Sequence, residues 1–491
     1  MGNLIRNERL KLYKKPSTWI LAGIIAALSL LILAFSHWLR AGNSYVQTWE
    51  DWRRSYESDI AYYTMVLNEE PNNLDAAKER EVMIFQLENE LTPSDWRSGA
   101  IREYLEMKYS GVSADPSGNA ADGVIPAPDA ETQERMDALM AMMQANDWRA
   151  YVNQKINDLE SGYTLSDTEE EKQIAIEMYQ MYLQYDVPPD SGYGISTSEN
   201  WKFFEIDSIY ASKLALLQGE YNGELLTQNK RAELEQGIAV STLRIATDTP
   251  PVRSSSFLGQ LENVELSMKL VTLLLIVLAG GIVSTEFSTG TVKLLLITPH
   301  RRQRIFWAKA AILLEITLIT VAALFVLSFL LSGILTGFEG IGAMQVMTLF
   351  GRAVRFPYLL YIVMKLLLLL LPVLAYGALA LMLSVVTRKS AVAIAVSLLL
   401  MYGSEIVLVL VYAFISDGGA IPGIKFLFFA NTSLESYLPF SGESFHAMIS
   451  PLSGVQLDPT MTLGFSAAIV VIYAACFLWI ARDSFCRRDI K

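Results

Sequence analysis

Long apolar runs alternate with charged ones along this 491-residue chain, and the alternation sets out its elements. Windows of the roughly 20 apolar residues that a helix needs to cross a bilayer fall at 18–39, 266–285, 311–335, 358–386, 391–415 and 461–480. Residues 40–264 carry another pattern. There Glu, Ala, Leu, Met, Gln and Arg recur and β-branched runs are scarce, which predicts helices over 45–67, 74–91, 94–109, 130–159, 167–185, 201–218 and 224–246. Thr92-Pro93-Ser94-Asp95 offers a hydroxyl cap with Pro in the first turn, and Ser166 with Glu169 offers a capping box. Gly/Pro-rich stretches at 111–128 and 187–198 divide this segment into sub-bundles. The expected fold is all-α: a polytopic membrane protein with six transmembrane helices and a large, mainly helical extracellular domain between the first and second.

Charge orients the spans. The segments 1–17, 286–310, 387–390 and 482–491 hold 16 Lys/Arg against 4 Asp/Glu, whereas 40–264 holds 18 against 39. By the positive-inside rule the four basic segments, and with them both termini, are cytoplasmic. This predicts a multi-pass plasma-membrane protein, and an outer segment without cysteines suits a bacterial surface. The first span follows Arg6, Arg9, Lys11, Lys14 and Lys15 with no small-residue cleavage site after it, so it reads as an uncleaved anchor. Residues 1–15 read as an interfacial helix held partly by anionic lipid, the plainer alternative being a frayed basic tail. The two cysteines, Cys476 and Cys486, lie in the last span and the tail, so residues 40–264 must hold together by packing alone.

The densest chemistry lies between the second and third windows. Five Lys/Arg and Glu286 share a short loop in which Gly290 and Pro299 bracket 291–298, room for a helix of about two turns. An acidic residue ending a span, then Phe, Gly-Thr, an apolar run, Pro and a basic cluster resembles the first cytoplasmic loop of ABC-2 type transporter permeases. The matching residues are Glu286, Phe287, Gly290, Thr291, Pro299, Arg301, Arg304 and Lys309. The resemblance covers the membrane half of the chain and implies a coupling helix that docks on a separate ATP-binding subunit. It also implies a second permease chain, as a homodimer or with a related subunit. ATP and Mg²⁺ would then sit on the partner, with no cofactor on this chain.

Other signals carry less. Leu452-Ser453-Gly454-Val455-Gln456 looks like the signature of ABC ATPases, but no GxxxxGK[ST] phosphate loop accompanies it. His37, His300 and His446 are scattered without metal-ligand spacing, so neither catalytic nor metal-binding residues are assigned. The acidic outer segment disfavours nucleic acid as a ligand. Its dense aromatics, with Met136, Met140, Met142 and Met143, read first as bundle core and second as a groove for an amphipathic cargo. The apolar loop 416–460 is tolerable at membrane depth only when helical or packed on protein.

Charges inside spans are costly and call for partners. Glu315 lies near the inner end of its span, while Lys365 and Glu405 fall at similar depth on adjacent antiparallel spans. A Lys365–Glu405 pair fixing helix register is the plain expectation; a pair that breaks when a dimer opens outward is the sharper one. The expected function is the permease subunit of an ATP-driven exporter of a hydrophobic or amphipathic substrate such as a peptide antibiotic, toxin or lipid-like molecule. The competing class is a membrane-anchored sensor or sequestration/immunity protein that binds a ligand without transport.

Overall fold

A computed structural model describes residues 2–43, 48–110, 127–162, 168–189, 200–221, 223–253, 255–290, 301–349, 351–416, 421, 423–438 and 461–487. In chain order the helices begin with α1 (Gly2–Tyr13), α2 (Pro16–Asn43), α3 (Trp49–Glu69), α4 (Leu74–Glu88), α5 (Trp96–Tyr109) and α6 (Ala130–Ala145). Next come α7 (Trp148–Glu160), α8 (Glu169–Tyr185) and α9 (Trp201–Gln218), then a small hairpin of β1 (Glu220–Tyr221) and β2 (Glu224–Leu225). Helices α10 (Gln228–Ala246), α11 (Phe257–Glu262), α12 (Val264–Ile282), α13 (Ser284–Ser288) and α14 (Arg302–Thr336) precede a second hairpin, β3 (Met344–Leu349) and β4 (Arg352–Pro357). The chain continues through α15 (Tyr358–Thr387), α16 (Ser390–Ser416) and α17 (Leu463–Arg487).

Two compact units result. One comprises Met1–Ser44, Val252–Gln345 and Arg355–Lys491; the other comprises Tyr45–Pro251 and Val346–Val354. Among the described residues the first contains six helical runs long and apolar enough to span a bilayer: α2, the run Phe257–Ser288, α14, α15, α16 and α17. At its centre α12 packs on α2, α14, α15 and α16, while α15 also packs on α16 and α17. Glycines set the closest approaches. A Cβ on Gly280 would stand 2.6 Å from Ile394, and one on Gly377 would collide with Leu275, so these helices touch backbone to side chain. Pro372 sits within α15 without ending it.

The second span corrects the sequence reading. Its helical run begins at Phe257 rather than 266, with the single turn residue Asn263 between α11 and α12, because Glu262, Glu265 and Lys269 interrupt the apolar window. The glycine-rich connection 336–357 holds the β3–β4 hairpin, with Gly351 in its turn at φ +76°. In the loop 416–460, residues Ile424–Phe426, Phe429–Asn431 and Leu434–Tyr437 form 3₁₀ turns. They seat Phe428 against Tyr376, Tyr473 and Phe477, with ring centroids 5.1–5.6 Å apart. Leu452-Ser453-Gly454-Val455-Gln456 lies outside the described residues.

The other unit is built on two apolar clusters. Leu74, Val82, Trp96, Ile101, Leu105, Leu139 and Met143 form one; Tyr182, Trp201, Phe203, Ile206, Ile209 and Ile245 form the other, and Trp148 packs against both. Met136 and Met143 are buried, so these methionines fill core rather than line a groove. The long helix expected over 130–159 is two. Asn146 adopts the left-handed conformation that closes α6, and Asp147 caps α7 by accepting from the Ala150 N–H. Asp95, not Thr92, caps α5, and the Thr168–Glu171 box caps α8 in place of Ser166–Glu169. Asn222-Gly223 separates β1 from β2, where the sequence reading had already started a helix at Glu224.

Candidate functional site

The expected coupling loop rests on a base of ion pairs. Its entry is α13, a five-residue helix whose backbone at Ser284 donates to the Ser384 hydroxyl of α15 at 3.1 Å. Its exit is α14, where Lys309 lies two turns from the first residue and is fully buried. Lys309 Nζ donates to Glu286 at 2.7 Å and to Glu8 of the N-terminal helix at 2.9 Å. Lys11 closes the figure, donating to Glu8 at 3.0 Å and to Glu286 at 3.2 Å. Two acids and two lysines alternate around a ring of zero net charge. Arg9 extends it by donating to Glu315 at 2.8 Å.

Electrostatics follow from this geometry. Burial pushes the Glu8 carboxyl up, but Lys309 and Lys11 outweigh it and hold the group below the usual carboxylate range. Burial likewise presses the Lys11 ammonium down, and Glu8 with Glu286 reverses this so that its pKa rises. A buried lysine stripped of its acids is costly, which makes the ring a constraint more than a source of stability. The sequence reading placed α1 on anionic lipid; ion pairs to α13 and α14 also hold it.

The remaining loop residues divide. Phe287 receives the guanidinium of Arg388 at 4.8 Å from its ring centroid, so the two basic turns meet at one place. Gly290 has φ +72°, a conformation that strains any residue with a side chain. Arg301 precedes α14 and Arg304 lies in its first turn, both exposed. Thr291, Pro299 and the helix expected over 291–298 lie outside the described residues. Sequence reasoning missed Glu8 and Lys11, which read only as part of a basic amphipathic tail.

The intramembrane charges need a correction. Lys365 does not take Glu405 as its expected partner; it donates to Glu262 at 2.8 Å, and Glu262 also accepts from the Tyr358 hydroxyl. Glu405 accepts instead from Lys269 at 2.9 Å. Helix α12 packs against both α15 and α16, and Glu262 and Lys269 stand seven residues apart, about two helical turns. That run supplies a counter-charge to each neighbour, so the two spans need not pair directly. Glu262 was legible only with the correct start of the second span.

These features define a helical membrane protein with six candidate spans and a charged knot at one end of the bundle. The chain belongs to the family described as Protein of unknown function (DUF2705), whose model matches residues 242–491. That match includes Glu286, Lys309, Lys365 and Glu405 but not Glu8 or Lys11. The "Uncharacterized membrane protein YdbK" of Bacillus subtilis (strain 168) is 32% identical over 239 residues, 48% of this chain and 84% of the relative. The "Uncharacterized protein YhcI" of the same organism is 29% identical over 223 residues, 45% of this chain and 65% of the relative. No solved structure matches the chain.

Proposed function

We propose that this chain is the membrane-spanning permease subunit of an ATP-binding cassette exporter, moved by a separate ATPase that grips the loop between Glu286 and Lys309. The observation that carries the proposal is the four-charge ring at the base of that loop. A push on a loop does mechanical work only if its ends cannot yield. Here both ends are tied to each other and to α1 through Lys309, Glu286, Glu8 and Lys11. Exposed Arg301 and Arg304 beside the knot suit an acidic docking surface.

In this reading both termini and the two basic turns are cytoplasmic, and the helical unit between the first two spans lies outside the cell. Two permease chains join two ATPase subunits, and ATP with Mg²⁺ binds on the ATPases alone. Nucleotide-driven closure presses the loop, α13 and the start of α14 move as one body, and the spans open outward for a hydrophobic or amphipathic cargo. The test is reconstitution with the candidate ATPase in lipid vesicles. ATP hydrolysis stimulated by this chain, lost in Gly290→Pro with the fold intact, supports the reading. Hydrolysis indifferent to the chain rejects it.

A further inference from the structure

Helix α17 carries a stripe that changes character along its length. Ile472, Cys476, Trp479, Asp483 and Arg487 follow one another at spacings of three or four, so they share one face. The apolar part is open to the surroundings: Ile472 is 56% and Trp479 65% exposed, and Cys476 is exposed between them. Asp483 and Arg487 end the stripe as an ion pair of 2.8 Å on side chains that are 46% and 82% exposed. From Ile472 to Asp483 the helix rises about 16 Å at 1.5 Å per residue. That is half of the roughly 30 Å hydrocarbon thickness of a bilayer, the reach of one leaflet.

At the polar end the surface opens into a cleft of about 440 Å³, lined by Val386 of α15 and by Trp479, Ile480, Asp483, Ser484 and Arg487 of α17. Cavities of this size hold small ligands or headgroups. The Ser484 hydroxyl is buried and has no hydrogen-bond partner among the described residues. Such a group is unfavourable until a ligand or water satisfies it. An exposed ion pair one helical turn apart contributes little, so Asp483 and Arg487 can exchange each other for a ligand's charges at small cost.

Together these features describe the ligand. An apolar wall one leaflet long takes acyl chains, a guanidinium with a free hydroxyl takes a phosphate, and a carboxylate takes an ammonium. The lining holds one acid and one base, which matches a zwitterion rather than an anionic headgroup. A carboxylate also favours an ammonium that can donate hydrogen bonds over a quaternary one that cannot.

We propose that this cleft binds a single phospholipid with a primary-ammonium headgroup, phosphatidylethanolamine. Its phosphate sits on Arg487 and Ser484, its ammonium on Asp483, and its chains run along Trp479, Cys476 and Ile472. The inference needs only the membrane placement of α17, so its failure leaves the exporter reading to the nucleotide assay.

The test is native mass spectrometry of the full-length chain in detergent, titrated with phosphatidylethanolamine, phosphatidylcholine or phosphatidylglycerol of identical acyl chains. The native protein retains one phosphatidylethanolamine at about tenfold lower concentration than either competitor, the weight of one charge-assisted hydrogen bond. Asp483→Asn leaves Arg487 unopposed and transfers the preference to phosphatidylglycerol. Arg487→Gln weakens retention of both about tenfold. Should either variant fail to fold, Ser484→Ala replaces it, and weaker retention of phosphatidylethanolamine again supports the proposal. Equal retention of the three lipids, a native preference for phosphatidylglycerol, or selectivity unmoved by every folded variant overturns it.

Discussion

Lys309 and Glu8 stand 301 positions apart in sequence and 2.9 Å apart in space. That contact joins the N-terminal helix to the third span, and Glu286 brings in the second. Removing the lysine leaves two nearly buried carboxylates with only the half-exposed Lys11 between them. Lys309→Ala is expected to lower stability by about 3–5 kcal/mol. Thermal unfolding in detergent measures it, and Glu8→Gln, which leaves Glu286 to neutralise Lys309, costs less.

The ring also fixes a pH dependence. Glu8 titrates below its ordinary value of 4.5 when folded. Its contribution is therefore present above that value and lost as pH falls through the lower, folded one. Lys11 titrates above its ordinary 10.5 when folded. Its contribution is complete below 10.5 and lost as pH rises through the higher, folded value. Between these limits Glu8 and Lys11 contribute a constant amount. A melting series across acid pH is expected to show a destabilising limb that Glu8→Gln flattens.

In the other unit, Asn146 both adopts φ 51° and accepts the Trp96 indole N–H at 2.9 Å. Asn146→Gly keeps the backbone geometry and loses the hydrogen bond; Asn146→Ala loses the bond and adds left-handed strain. Both are expected to destabilise, by about 1–3 kcal/mol for the unpaired indole, with Ala worse than Gly. Chemical unfolding followed by tryptophan fluorescence separates them.

The Glu262–Lys365 pair is expected to behave as a coupled unit. Lys365→Met alone and Glu262→Gln alone each leave a buried partner unbalanced, whereas the double variant removes both charges. Thermal melts of the four proteins should give a double variant more stable than the sum of the singles implies. Additive losses would show that the pair carries no coupling.

What the sequence made legible follows physical range. Six spans were readable because a bilayer demands long apolar runs; the helical runs carrying the second and third windows start nine residues earlier, at Phe257 and Arg302, where charged residues break the apolar window. The helix break at Asn146-Asp147 and the hairpin at Asn222-Gly223 had local signals, a left-handed Asn before an Asp cap and an Asn-Gly turn, that helix composition overrode. Glu286 and Lys309 emerged from a loop pattern. Their partners did not, since no local periodicity encodes a contact between residue 8 and residue 309. Lys365 and Glu405 were singled out by depth alone, and depth cannot say which of several neighbouring helices carries the counter-charge.

The most direct measurement is a cross-link between this chain, carrying Arg304→Cys in a background lacking Cys476 and Cys486, and the ATPase reconstituted with it. The account expects a product at the ATPase surface whose yield changes on adding ATP and Mg²⁺. An ATPase that binds the chain but never reaches position 304, in any nucleotide state, would contradict it.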